Sequence, residues 1–201
     1  MTVAETVFAA IDFESAGLRP GGTEVAVQIG IAPMRGVEIF TADFFGSFLA
    51  TDQEITWSAQ KVHGIRREDL KEAPSLTALW PQIRGLLGGR WLVAHGAATE
   101  KRFLRAFPFH GFGPWVDTLK LSRAVWPARD SFALGDLIVA LELEGELRGL
   151  HPDFRWHDAL SDAVASLVLL RRIIAETGIG GEEAEILLRA DDSSYHRLKS
   201  K

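Results

Sequence analysis

The 201-residue chain has no cysteine. Disulfides, thiolate zinc sites and thiol nucleophiles are therefore excluded together. The absence suits a reducing compartment, and any chemistry falls to carboxylate, imidazole or hydroxyl groups. No run approaches the roughly 20 apolar residues that span a bilayer. The opening stretch MTVAETVFAAIDFE lacks a basic n-region, and Glu5 and Asp12 break its apolar part, so it does not read as a signal peptide. These absences set the expectation of a soluble, cytoplasmic protein with no membrane partner. Net positive charge is lacking too: 22 Lys and Arg against 27 Asp and Glu give −5. No global field draws the chain to a polyanion, which would have to be met by local patches or bound cations.

What is present is an ordinary globular composition, 47% apolar and 24% charged, which excludes disorder and fibrous repeats. The length favours one domain with a continuous core. We expect that domain over residues 1–178, followed by a C-terminal helix or tail over 179–201. Residues 6–11 and 23–34 read as strands, the second half-buried, with Val25, Val27, Ile29 and Ile31 on one face. Turn residues join them, and 37–49 is a third apolar run, so the chain opens as a three-stranded antiparallel meander. Short helical pieces follow at 58–63 and 66–71, then a longer amphipathic helix over 75–87. Strands at 91–94 and 115–117 alternate with helices at 99–107 and 118–125, and further helices cover 134–143 and 158–176. The pattern predicts an α/β fold with a mixed five-stranded sheet, the meander followed by parallel strands, flanked by helices. Ligands in such sheets gather at strand C-terminal ends.

Three segments there carry chemistry. Asp12 and Glu14 stand one residue apart, and period two points both to one face; alone, the pair also fits a strand ending in solvated acids. HGAATEKRFL opens a helix after a buried strand and puts Glu100 near its first turn, where an acid also simply complements the helix dipole. HDALSDA sets His157 before a long helix and Asp162 one turn in, with Asp158 as a natural N-cap. Together, four carboxylates and an imidazole form an oxygen-rich site suited to hard cations such as Mg²⁺ or Mn²⁺, the setting of metal-assisted phosphoryl hydrolysis. Imidazole titrates near neutrality, which makes His157 the natural base.

The motifs AIDFES, VHGI, LVAHGAATEKRFL, DTLKL, SFALGDL and HDALSDA occur in the order found in DnaQ-like exonucleases of the DEDDh type. The chain resembles that family, within the ribonuclease H-like superfamily, from about Thr6 to Glu176. The resemblance implies a 3′-to-5′ exonuclease that uses two metal ions and releases nucleoside monophosphates from single-stranded or frayed DNA or RNA 3′ ends. It implies Asp12, Glu14, Glu100 and Asp162 as metal ligands and His157 as general base. His63, Gly64 and Ile65 would pack on the terminal nucleotide, with Phe13, Ser15 and His95 as further substrate contacts; Phe13 itself points by period two into the core. Three departures stand out: Glu100 where the family usually has Asp, Gly96 where Asn is common, and Thr99 where an aromatic is usual. Arg66, Arg67, Lys71, Lys101, Arg102 and Arg105 are either phosphate contacts or a solvated face. A polymerase or a second copy of the chain is a candidate partner. Two other readings remain: a catalytically weakened nucleic-acid-binding or polymerase-partner module, and a phosphoesterase acting on free nucleotides.

Overall fold

The computed structural model describes residues 1–19 and 21–189. Strand β1 (Val7–Ser15) pairs antiparallel with β2 (Ala26–Arg35), and β2 pairs antiparallel with both β3 (Glu38–Ile39) and β4 (Phe45–Phe48). On the other edge of β1, β5 (Trp91–Ala94) and then β6 (Trp115–Asp117) add in parallel. The sheet therefore has six strands in five positions, since β3 and β4 share the outer edge of β2. The third apolar run is broken at a 3₁₀ turn, Thr41–Asp43. Pro33 lies on β2 between the two paired stretches and has no N–H to donate, so the ladder cannot run through it.

Helix α1 (Trp57–His63) lies by the end of β1, where His63 bonds to Ser15 O. One face of the sheet carries α2 (Leu76–Leu87) and α3 (Ala98–Leu104); on the other, α4 (Thr118–Val125), α5 (Leu134–Ala140) and α6 (Glu144–Leu150) pack around α7 (Ala159–Thr177). The predicted helix over 134–143 ends early because Glu142 turns to φ +57, and α6 follows it. Nothing in the periodicity announces α6, whose two glycines weaken the helical signal. Alternate residues of β1 divide between two cores: Phe8 and Ala10 pack with α7, while Ala9, Ile11 and Phe13 pack with Ile83, Leu87 and Phe103. Asp12 and Glu14 continue the α7-facing register. Strand β2 is buried on both faces from Val27 to Met34, not on one as its alternation suggested, because α7 covers the face that Gln28, Gly30, Ala32 and Met34 present.

Gly30 permits that cover. A Cβ there would stand 2.2 Å from the Ala159 carbonyl carbon and 2.1 Å from the Leu160 nitrogen, so the first turn of α7 lies directly on the β2 backbone. After α7, the chain packs back through Ile179, Ala184 and Leu187, and Val3 N–H bonds to Glu182 O at 2.9 Å. Residues 190–201, the rest of the expected C-terminal tail, lie outside the described residues. Among the described residues no helix is long and apolar enough to cross a membrane.

A Gly30→Ala substitution must displace backbone, which no rotamer change relieves. We expect it to destabilise the protein by about 3 kcal/mol or more, at or beyond the upper end of ordinary overpacking. Urea unfolding should show the loss, and an unchanged midpoint would contradict the packing described for α7.

Candidate active site

The site forms where β1 ends under α7. Cross-strand register pairs Asp12 with Gly30 and Glu14 with Gln28, so the two acids look toward the N-terminal turn of α7. Asp162 projects from that turn, and the loop just before it carries His157. One ligand atom each from Glu14, His157 and Asp162 lie within 4.8 Å of one another. His157 adopts φ +59, a left-handed conformation uncommon outside glycine. Asp158 is the N-cap of α7, its carboxylate accepting from Ser161 N–H at 3.1 Å. The capping role and the site role thus sit side by side in HDALSDA rather than competing.

Glu100 arrives from the opposite layer. Its helix starts at the end of β5, where Asp117 accepts from Gly96 N–H and Ala97 N–H, both at 3.2 Å, while also capping α4. Gly96 has φ +89, a conformation glycine reaches without strain. Arg102 on the same helix pairs with Glu24, and Glu24 accepts from Ser15 Oγ at 2.6 Å. α3 is thereby tied to the end of β1.

Burial and mutual repulsion dominate the electrostatics. Asp12 is pushed well above the usual carboxylate range by burial, then by the fields of Asp162, Glu100, Glu14 and Asp158. Burial, with Asp162 and Asp158, lifts Glu14 to about 8. Burial likewise lifts Glu100 and Asp162 each to about 7. Glu100 Oε2 and Asp162 Oδ1 are buried without a hydrogen-bond partner. Buried polar atoms are rarely left so, and here the orphans are carboxyl oxygens of groups that also feel the charge of other acids, Asp117 for Glu100 and Asp158 for Asp162. The donor set fits a hard divalent cation, which would satisfy the orphans and offset the repulsion.

The remaining predicted contacts separate into groups. His63, Gly64 and Ile65 line a pocket together with Gln28, Trp156, His157 and Asp158. His63 Nδ1 accepts from Ile65 N–H at 3.0 Å, so its Nε2 carries the proton and donates to Ser15 O at 3.1 Å. Burial holds its pKa low, in keeping with this neutral form. Phe13 faces away and packs on Phe103 at 5.2 Å between centroids. His95 is not brought to the pocket: its nitrogens engage Thr118 Oγ1 at 3.0 Å and Phe132 O at 2.8 Å, which brace β5 against α4. Of the basic residues, Arg102 is held by Glu24, and Lys101 lies over Trp115. Trp57 is 75% exposed, with Lys61 over its ring. Sequence reasoning passed over Gln28, although a glutamine amid EVAVQIGIA signals a buried polar group that needs partners.

In Glu14, Glu100 and Asp162 the folded-state values of about 8, 7 and 7 lie above the unfolded ones near 4. The folded protein therefore binds more protons than the unfolded chain across this window, and stability falls as pH rises from about 4 to 8. We expect the melting temperature in EDTA to decline between pH 5 and pH 8. Millimolar Mn²⁺ at pH 8 should restore about 5 °C or more. Glu14→Gln should flatten the decline and blunt the Mn²⁺ response. A pH-independent melting temperature would contradict this account of the acids.

The sequence profile of the exonuclease family, RNase_T, matches residues 9–170. The chain is similar to the PolC-type DNA polymerase III of Thermotoga maritima, 31% identical over 205 residues, which covers 98% of this chain and 14% of that polymerase. It is also similar to exodeoxyribonuclease 10 of Escherichia coli, 26% identical over 173 residues, covering 86% of this chain and 71% of the relative. Among solved structures, exonuclease X in complex with 5′ overhanging duplex DNA matches with a TM-score of 0.73 at 25% identity, over 90% of this chain and 99% of that one. The nuclease domain of 3′hExo, a DEDDh family member bound to rAMP, matches with a TM-score of 0.71 at 15% identity, over 90% and 98%, a likeness of fold. The mixed sheet with helices on both faces is the ribonuclease H-like arrangement of these exonucleases. With the profile spanning most of its length and its acid and histidine motifs converging at one end of that sheet, the chain belongs to the DnaQ-like exonuclease family.

Proposed function

We propose that the protein is a divalent-metal-dependent 3′-to-5′ exonuclease that releases nucleoside 5′-monophosphates from single-stranded or frayed 3′ ends. The observation that carries the reading is the meeting of Glu14, His157 and Asp162 within 4.8 Å, beside the orphaned oxygens of Glu100 and Asp162. Asp12, Glu14, Glu100 and Asp162 would hold two Mg²⁺ or Mn²⁺ ions, which supply Lewis-acid charge at the phosphoryl oxygens. His157, exposed beside the acids, accepts a proton from the attacking water. Attack at phosphorus breaks the P–O3′ bond; the departing O3′ takes a proton from solvent water, leaving a 3′ hydroxyl on the shortened strand and the 5′-phosphate on the released nucleotide. The wall formed by His63, Gly64 and Ile65 receives the terminal nucleotide, with the Ser15 carbonyl holding the His63 ring in place. His95 acts through the frame rather than by touching substrate.

A DNA substrate is supported by the likeness to exodeoxyribonuclease 10 and to exonuclease X with duplex DNA. An RNA substrate is supported by 25% identity to RNA exonuclease 4 of Mycosarcoma maydis. Because nearly the whole chain is similar to a stretch of PolC-type polymerases, a replicative polymerase is the favoured partner, with a second copy as the alternative.

The test is a time course on 5′-labelled DNA and RNA oligonucleotides with Mg²⁺, Mn²⁺ or EDTA. A ladder shortening from the 3′ end should appear with metal and vanish in EDTA and in Asp12→Ala. His157→Ala should lose about 10²-fold or more in kcat while retaining strand binding. Glu100→Asp should lose about tenfold or more, because the shorter arm withdraws a buried carboxylate fixed at the helix backbone. Strand binding without shortening, by folded protein under either metal, would favour a non-catalytic module. Cleavage of mononucleotide analogues without preference for strands would favour a small-molecule phosphoesterase.

A further inference from the structure

Gln28 lies in the middle of an apolar strand and is only 7% exposed. It is the cross-strand neighbour of Glu14. Its amide is used at both ends: Nε2 donates to Asp158 Oδ2 at 2.6 Å, and Oε1 accepts from Ala159 N–H at 3.1 Å. The opposite orientation of the amide would set a carbonyl against a carboxylate and an NH₂ against an N–H, so the partners fix it. The two groups it grips are those immediately after His157. Asp158 Oδ1 also accepts from Ser161 N–H and Ser161 Oγ–H, both at 3.1 Å, and Ser161 Oγ accepts from Arg155 N–H at 3.2 Å. Residues 155–161 thus form a closed hydrogen-bonded loop, and Gln28 ties it to the sheet through two hydrogen bonds. His157 sits within that loop at φ +59, a conformation that persists only where the surroundings over-determine it.

We propose that Gln28 is a positioning residue for the reaction: through Asp158 and the Ala159 N–H it holds the His157 backbone in the left-handed conformation that delivers the imidazole to Glu14 and Asp162. The inference rests on the reading of His157 as the base. A glutamine serving only to satisfy the helix terminus would contribute to stability independently of His157. A positioning glutamine has its effect on turnover solely while His157 is present.

That difference can be measured on the full chain with a single-stranded oligonucleotide in excess over enzyme and Mn²⁺, with time courses long enough that slow variants are read. Gln28→Leu, close in shape but without either polar end, should lower kcat about tenfold to a hundredfold with KM within about twofold. In a His157→Ala background the same substitution should add less than about twofold. A swap of donor and acceptor gives a second reading should the leucine variant fail to fold. Gln28→Glu alone sets a carboxylate against Asp158 and should lower kcat comparably. Gln28→Glu with Asp158→Asn returns a donor to the pair, keeps the Ser161 cap, and should bring kcat to within about threefold of the parent protein. An undiminished loss in the His157→Ala background, or no rescue by the swap, overturns the proposal. Full turnover in His157→Ala alone overturns the reading of the base instead, and the proposal with it.

Discussion

Everything distinctive about this site depends on how closely the first turn of α7 approaches the backbone of β2. Gly30 offers no side chain, and the peptide between Ala159 and Leu160 occupies the space a Cβ would take. Because Gly30 is the register partner of Asp12, that close approach sets where α7 begins relative to the acids of β1. From there the helix geometry leaves Asp162 little choice, since one further turn returns the chain to the same face. The rest of α7 reinforces the placement. It is buried along most of its 19 residues, among them Val164, Leu167, Val168, Leu169 and Leu170, so it cannot rotate to move its acid away without unpacking the core. A helix with one apolar stripe could roll; one packed nearly all round cannot.

The electrostatic consequence is a cluster that the fold holds together against its own charge. Two like charges about 4 Å apart repel by about 4 kcal/mol at an effective dielectric near 20, and whole domains are stable by only about 5–15 kcal/mol. Several fully ionised carboxylates at such distances would consume much of that margin, so in isolation protons enter instead, which is what the raised values of Asp12, Glu14, Glu100 and Asp162 express. A divalent cation bound there would compete with those protons for the same oxygens. The packing of α7 and the tethering of α3 through Arg102, Glu24 and Ser15 supply the rigidity that keeps the oxygens in place for either occupant.

The sequence made the parts of this arrangement that depend on periodicity legible. Period two put Asp12 and Glu14 on one face and Phe13 on the other, as the Phe13–Phe103 contact bears out. Strands β5 and β6, the α4 helix and the capping of α7 by Asp158 all follow local signals. What escaped was set by partners remote in the chain. The second buried face of β2 exists only because α7 lies on it, and the split of the third run depends on the missing N–H of Pro33 on a neighbouring strand. His95 carries the motif position of a site residue, yet Thr118 and Phe132, 23 and 37 residues away, take both its nitrogens. Gln28 and Asp158 are 130 residues apart, and no local pattern connects them.

The substitution of glutamate at position 100 is best understood from where its helix starts. α3 is short, and its beginning is pinned by the Asp117 carboxylate at Gly96 and Ala97, so the helix cannot slide toward the sheet end to suit a shorter side chain. A side chain one methylene longer reaches further from a fixed backbone, but it carries another rotatable bond, and an exposed glutamate would spread over several rotamers. Here it is 4% exposed and under the charge of Arg102. Burial removes the rotational freedom that the extra methylene adds. The longer arm and the fixed helix start therefore act together: Asp117 sets the backbone, and the buried side chain extends from it to where its charge is felt by Asp12.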